Sequence, residues 1–375
     1  MQNNLLDVFK IPTVPTSRHY WIVRTNSGLY FDDFVLRQYI AIAWDYITLN
    51  ILNNCDEDSI KRIIGMYDED AADLDDEETT GPDKAKLTAT YNKLHRFVFE
   101  IAKGDIVLIP SANSDHIAIA EVVGDTYESP NYVELYLQKY PDSEIVPCPY
   151  HKRRNVKILK IISKGSMDIY LAKGFNSQHA ISNMDDYSSF IDRTIYGVYA
   201  KGNDIHTTLH AGHPNGLSLK ELVELSTCLE TAATSLAEQC GLDFDSSQID
   251  VKLNIHSPGL IELIGAVAAS GAVLSLLIFT VNNLINGGKL DISFKTDEKH
   301  GSIDFNVSSE NLGIRGHERE DKKLELKEKT QLLKLVEQLD IKTPDIISAI
   351  LNGEKITSDM VSEAQNQEIS STESE

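Results

Sequence analysis

Apolar residues alternate in some stretches of the chain and recur at helical spacing in others, which divides it into short elements. Tyr20–Arg24 and Ile40–Trp44 are runs of β-branched and aromatic residues and predict strands. Between them lies Tyr30-Phe31-Asp32-Asp33-Phe34, in which Asp32 and Asp33 read as turn residues. Ser59–Met66 predicts a short helix with Ser59 near its N-cap. From Lys84 to Ile101, the residues Leu87, Tyr91, Leu94, Val98 and Ile101 form one helical face. Gly104-Asp105 makes a turn, and Ile106–Ile109 makes a strand closed by Pro110. Ile117–Gly124 and Asn155–Ile162 predict two further strands. Several short strands around one or two helices predict a small, partly open barrel over residues 18–197. Pro12 and Pro15 make residues 1–17 an extended lead-in.

The second half has a different pattern, and the fold class expected for the whole is α+β. An α/β domain is expected over 198–316. Asp204–Ala211 alternates like a strand. Ser218 and Glu221 form a capping box at the start of a helix that runs to about Cys240. Ile249–His256 alternates again. Ser257-Pro258-Gly259 then opens an apolar segment, read as one helix over 260–286, which Gly287-Gly288 ends. Its centre, Ile264–Val281, is eighteen residues without a charge. That length reaches the lower limit for a membrane-spanning helix. It equally suits a buried helix between strands Ile249–His256 and Lys289–Lys295, as a βαβ unit. Glu262 reads as a helix-start carboxylate. Lys289–Lys295 and Ser302–Ser308 predict a hairpin. Charged helices are expected within 317–351 (Glu318–Leu339, Pro344–Leu351), and a disordered acidic tail over 352–375.

Charge narrows the function classes. The formal net charge is -22. A sequence-blind nucleic-acid coat is excluded, because binding many phosphates requires clustered Lys and Arg. Much of the excess is local: Asp56–Asp83 holds twelve acidic and two basic residues, and an acidic loop is expected over 68–83. Cys55, Cys148, Cys228 and Cys240 form no CxxC pair and no zinc-spaced cluster. Free thiols and the absence of a signal-peptide pattern lead to an expected cytoplasmic location, inner-membrane associated if 264–281 spans a bilayer.

Both tryptophans, Trp21 and Trp44, stand at predicted strands beside Tyr20 and Tyr46. Such aromatics either fill a small barrel's core or build a stacking pocket for a nucleobase. In the second reading, Tyr20, Trp21, Trp44 and Tyr46 stack on the base. Asp45, Ser111 and Asn113 contact its edge, while Arg24, Lys152, Arg153 and Arg154 hold phosphates. For Lys152–Arg154, a solvated turn is the competing reading.

Five segments carry a family resemblance: Tyr20–Arg24, Phe31–Phe34, Ile40–Trp44, Phe97–Val107 and Ile119–Asp125. With Arg153-Arg154-Asn155-Val156 and the closing Phe190–Tyr196, their order and spacing resemble a PUA-like, EVE-like module. That module is found at the N-terminus of some modification-dependent restriction proteins. The resemblance covers residues 18–197. It implies a fold that binds nucleic acid, often a modified or flipped base, and a role in defence against foreign DNA. Two departures stand out: Ala43 where the family tends to have glycine, and the acidic insertion around 68–83.

Modules of this kind are often joined to a nuclease. Asp250-Val251-Lys252, with Asp243 and Asp245 nearby, has the Asp-x-Lys spacing of a Mg²⁺-dependent site, a spacing common by chance. His206, His210 and His213 lack a partner carboxylate or cysteine at a familiar spacing and read as surface strand and turn. There is no Walker loop and no GxSxG elbow. The leading expectation is a nucleic-acid sensor without a cofactor. Its C-terminal domain would be a transducer, a self-association unit or a membrane-associated effector. The alternatives are a modification-dependent endonuclease using Asp250, Lys252 and Mg²⁺, and a membrane-anchored interaction protein with another ligand.

Overall fold

The structure, a computed structural model, describes residues 11–67, 84–176, 179–211, 217–240, 242, 244–254, 259–267, 270–285, 289–297, 302–310 and 326–343. The acidic loop 68–83, His213, Asp243, Gly287-Gly288, the expected helix Pro344–Leu351 and the tail 352–375 lie outside the described residues. Ser17–Ile191 make one compact unit; Met1–Thr16 and Asp192–Glu375 make the other. Strand β1 (Thr13–Val14) falls in the second unit, so part of the expected lead-in is a strand there.

The first unit is a mixed α+β structure around a six-stranded sheet that curls into a half-barrel. Its elements begin with β2 (Tyr20–Val23), α1 (Phe31–Arg37) and β3 (Tyr39–Ile42). Next come α2 (Leu49–Asn54), α3 (Glu57–Tyr67) and α4 (Lys84–His95), the last continued by a π turn over Arg96–Glu100. Strands β4 (Ile106–Pro110) and β5 (His116–Glu128), helix α5 (Tyr132–Lys139) and β6 (Lys152–Ser163) follow. Helix α6 (Ile169–Gly174) and β7 (Ile181–Asn183) complete the unit, and α7 (Ser188–Ile195) carries the chain onward. The strand order is β3-β6-β5-β4-β2-β7, with β2 parallel to β4.

Three local expectations change. The Phe31–Phe34 segment opens a helix rather than a turn, and Asp33 points into the interior. The helix at Ser59 starts two residues earlier, because the carboxylate of Asp56 accepts the Ser59 N–H at 2.8 Å and is the cap. The last two strands are longer than predicted. The β5–β6 pair shifts register between Val122 and Thr126, a bulge that lets the long strands bend.

In the second unit, β8 (Val198–Lys201), β9 (Asp204–Ala211), β10 (Asp250–Asn254) and β11 (Gly259–Ala266) form a sheet of order β1-β8-β9-β11-β10. Helix α8 (Leu219–Cys240) begins at the expected capping box: Ser218 N donates to Glu221, and Glu221 N donates to Ser218 Oγ. Helix α9 (Gly271–Ile285) follows β11. A separate hairpin pairs β12 (Lys289–Asp297) with β13 (Ser302–Glu310). Helix α10 (Leu326–Gln338) and β14 (Ile341–Lys342) end the described chain, and β14 pairs with β9.

The uncharged run 264–281 is therefore not one helix. Its first residues finish β11, and α9 begins at Gly271, with the residues from Gly271 to Asn282 buried. Among the described residues, no helix is long and apolar enough to cross a membrane. No βαβ crossover forms either, because β10 pairs antiparallel with β11 while β12 pairs with β13. Ser275 and Thr280 donate their hydroxyls to the carbonyls of Gly271 and Leu276, so these two buried hydroxyls are paired within the helix.

Candidate functional site

The run Lys152-Arg153-Arg154 is neither a solvated turn nor a phosphate clamp. All three residues lie in β6 and are at most 5% exposed. Lys152 Nζ donates to the Trp44 carbonyl at 2.8 Å and stands 3.5 Å from Asp45 Oδ1. Burial lowers the Lys152 pKa, and Asp45 works against that shift. Arg153 donates to the carbonyls of Tyr150 (2.9 Å) and Cys148 (2.6 Å). Its guanidinium packs against two rings, 3.6 Å from the centre of Tyr132 and 4.3 Å from that of Tyr39. Arg154 donates to Phe97 O at 2.9 Å and Val98 O at 2.8 Å. Those carbonyls belong to the π turn that ends α4, so a side chain from β6 satisfies groups left over at a helix terminus. Burial lowers the Arg154 pKa too, against the opposing charges of Asp125 and Asp105.

Asp33 shares its neighbours Tyr39, Tyr132 and Cys148 with Arg153. Fully buried, it accepts hydrogen bonds from the hydroxyls of Tyr39 and Tyr132 and, at 2.8 Å, from Cys148 N. Burial raises the Tyr39 pKa; Arg153 opposes the shift and the Asp33 bond adds to it. Cys148 is pushed up to about 12, chiefly by burial, and is an inert thiol.

Tyr20 and Trp21 belong to the core, not to a stacking surface. They are 1% and 3% exposed, on a strand paired on both sides. Trp21 Nε1 donates to Asp105 Oδ2 at 3.0 Å. Asp105 also accepts the backbone N–H groups of His19 and Ala102, which fixes the turn before β4.

Trp44 is placed differently. It is only partly buried and has φ 63, a left-handed conformation that costs a bulky residue about 1–2 kcal/mol. Three contacts hold the corner after β3. Ile47 N and Lys152 Nζ both donate to Trp44 O, and His151 N donates to Asp45 Oδ1 at 2.8 Å. Lys93 Nζ stands 5.2 Å from the Trp44 ring centre. Next to it, Tyr46 stacks on Tyr67 with ring centres 5.1 Å apart, and Tyr67 is 64% exposed. Backbone strain held in place by surrounding structure is a feature that clusters at functional sites.

Arg24, Ser111 and Asn113 gather elsewhere. Strand β3 runs toward Lys152, the start of β6, whereas β4 runs toward Pro110, opposite the start of β5. The Trp44 corner and the Ser111–Asn113 turn thus lie at opposite ends of the β5–β6 pair. One base cannot be stacked by Trp44 and read at its edge by Ser111 and Asn113. At that far end, Ser111 Oγ accepts His116 N at 2.8 Å, and Asn113 is exposed with φ 53. Arg24 Nη2 donates to Phe175 O at 2.7 Å. Gly28 (φ 92) packs there so closely that a Cβ would fall 2.1 Å from Ala112 N.

In the second unit, Asp250 and Lys252 are exposed on β10. Among the described residues, no group of three or more His, Cys, Asp or Glu could hold a metal ion. The cluster that does form centres on Glu262, read from sequence as a helix-start carboxylate. It lies within β11 and is fully buried. Glu262 faces His206 Nδ1 at 3.0 Å and Arg193 Nη1 at 3.3 Å. The His206 ring stacks on Tyr199 at 4.5 Å, and Lys201 pairs with buried Asp192 at 2.6 Å. His206 is therefore part of an interior network rather than a surface strand.

Burial, the largest influence, opposes the Glu262 charge but is outweighed by the His206 hydrogen bond and by the charges of His206, Arg193 and Lys252. The net pKa is lowered from 4.5. A lowered carboxylate pKa contributes stability above the unfolded value and loses it as pH falls through the folded one. Glu262→Gln is expected to cost about 3–5 kcal/mol at neutral pH, because the buried Arg193 guanidinium loses its anion. Amide-exchange protection of β9 and β11 should fall in wild type below about pH 4.5 and change less in the variant. A variant with the wild-type pH profile would refute the assignment.

The Trp44 backbone gives a second test. Trp44→Gly and Trp44→Ala lose the same ring packing, but only glycine adopts φ 63 without strain. Chemical denaturation should find the glycine variant about 1 kcal/mol more stable than the alanine variant. Equal stabilities would mean that the corner is not left-handed in solution.

A family model described as Domain of unknown function (DUF8426) matches residues 22–196. No curated protein and no solved structure matches the chain. Over residues 22–196, which include the β6 cations, the Asp33 cluster and the Trp44 corner, the chain is similar to this one uncharacterised domain family.

Proposed function

We propose that residues 17–191 form a nucleic-acid-binding module of the PUA-like, EVE-like kind that engages a base at the Trp44 corner. The observation that carries this reading is the strained, partly exposed Trp44. A base stacks on the indole or on the neighbouring Tyr46–Tyr67 pair, and Lys93 meets an adjoining phosphate. Lys152, Arg153 and Arg154 are turned inward, and the net charge of -22 opposes phosphates. Binding therefore depends on one base more than on backbone charge, and its salt dependence is shallow. A modified base in foreign DNA is the ligand class the sequence resemblance implies. The second unit then acts as transducer or self-association domain.

Fluorescence anisotropy with labelled oligonucleotides, single-stranded and duplex, with and without 5-methylcytosine, tests this. Trp44→Ala should weaken binding about ten- to hundredfold, since stacking of one base is worth ~1–3 kcal/mol. Circular dichroism should remain that of the folded protein. Failure of wild type to bind any of these oligonucleotides, or equal affinity of the variant, would overturn the reading.

A further inference from the structure

We propose that two copies of this chain join through the outer edge of β10, antiparallel and centred on Val251. Strand β10 ends its sheet, and among the described residues β11 is its one partner. Among the described residues no strand lies against the other edge of β10, whose backbone donors and acceptors are a template for another chain. Its apolar residues are uncovered as well: Val251 is 52% exposed and Leu253 is 42% exposed.

The sequence of β10 is self-complementary in one register. Lys252 lies opposite Glu262 and Val251 opposite Leu263, so Asp250 and Lys252 share the polar face while Val251 and Leu253 share the core-side face. A twofold axis at Val251 sets Asp250 against Lys252 of the second copy, twice. It also sets Val251 against Val251, and Leu253 against Ile249. Ile249 is already extended (φ -99, ψ 115) and prolongs the strand. Centring on Lys252 instead would oppose two lysines, which like-charge repulsion disfavours. The ion pairs thus select the register, and the apolar pairs carry the core-side face of the sheet across the joint. A five-residue strand offers a small contact, so the dimer dissociates on dilution.

Light scattering and register-specific cross-linking test this on the full chain, in a Cys55→Ser background that removes an exposed thiol. The protein should be dimeric at high concentration. Val251→Lys should weaken the dimer at least about tenfold, equivalent to ~1.4 kcal/mol. Directly opposed residues have Cβ atoms about 4.5–5.5 Å apart, near disulfide reach, so oxidised Val251→Cys should run as a covalent dimer. Leu253→Cys should not, because the two Leu253 positions are offset by about 13 Å along the strands. A monomer at every concentration, an unaffected Val251→Lys dimer, or equal cross-linking at 251 and 253 would each overturn the proposal. A monomer is also the outcome if another segment of the same chain covers the edge. None of these outcomes depends on whether the first unit binds nucleic acid.

Discussion

Three successive cations at the start of β6 are buried, and much of the first unit's irregular structure depends on them. Burying an ammonium and two guanidinium groups is costly unless each finds compensating partners. Because strand residues alternate faces, Lys152 and Arg154 point one way and Arg153 the other. Their principal acceptors are backbone carbonyls outside the regular ladders: Trp44, Cys148, Tyr150, Phe97 and Val98. One short piece of strand therefore orders a corner, a loop and a helix terminus that hydrophobic packing alone leaves with unsatisfied polar groups. The Trp44 conformation follows from this, since the carbonyl that Lys152 holds belongs to a residue that would otherwise avoid positive φ.

This arrangement was hidden in the sequence for a physical reason. A basic triplet has no periodicity that separates a solvated turn from a strand buried on both faces. The Lys152 contact is 108 residues away in sequence, and the Arg154 contacts are 56 and 57 away. Asp33 is a similar case: its turn-like composition gave no sign of Tyr132 or Cys148, which reach it across 99 and 115 residues. Local signals fared better. The Ser218–Glu221 box, the alternation of Asp204–Ala211 and the hairpin after Gly288 lie where short-range pattern predicts them. The placement of the aromatic residues was legible only in part. Trp44 and Tyr46 reach the surface, whereas Tyr20 and Trp21 are core, and Ser111 and Asn113 belong to the opposite end of the sheet.

The uncharged run 264–281 shows a different limit. Hydropathy marks it as interior but cannot divide it, because a fully buried strand and a fully buried helix have the same composition. The division became visible through Glu262, whose position opposite Thr208 and Lys252 places it inside a sheet. The second unit then has two unlike faces: an apolar one that supplies the main hydrophobic core, and one where Glu262, His206 and Tyr199 meet. Burial of charge recurs in both units: Asp33 accepts from the Tyr39 and Tyr132 hydroxyls, and Glu262 pairs with Arg193 and His206.

The account rests on the β6 cations being interior, and amine-reactive labelling of the native full-length protein, read by mass spectrometry, tests this most directly. Lys103, with its side chain 56% exposed, serves as the internal standard for Lys152, whose side chain is 0% exposed. The account predicts that Lys152 stays unmodified while Lys103 reacts, and that both react once the protein is unfolded. Labelling of Lys152 at the rate of Lys103 in the folded protein would contradict it.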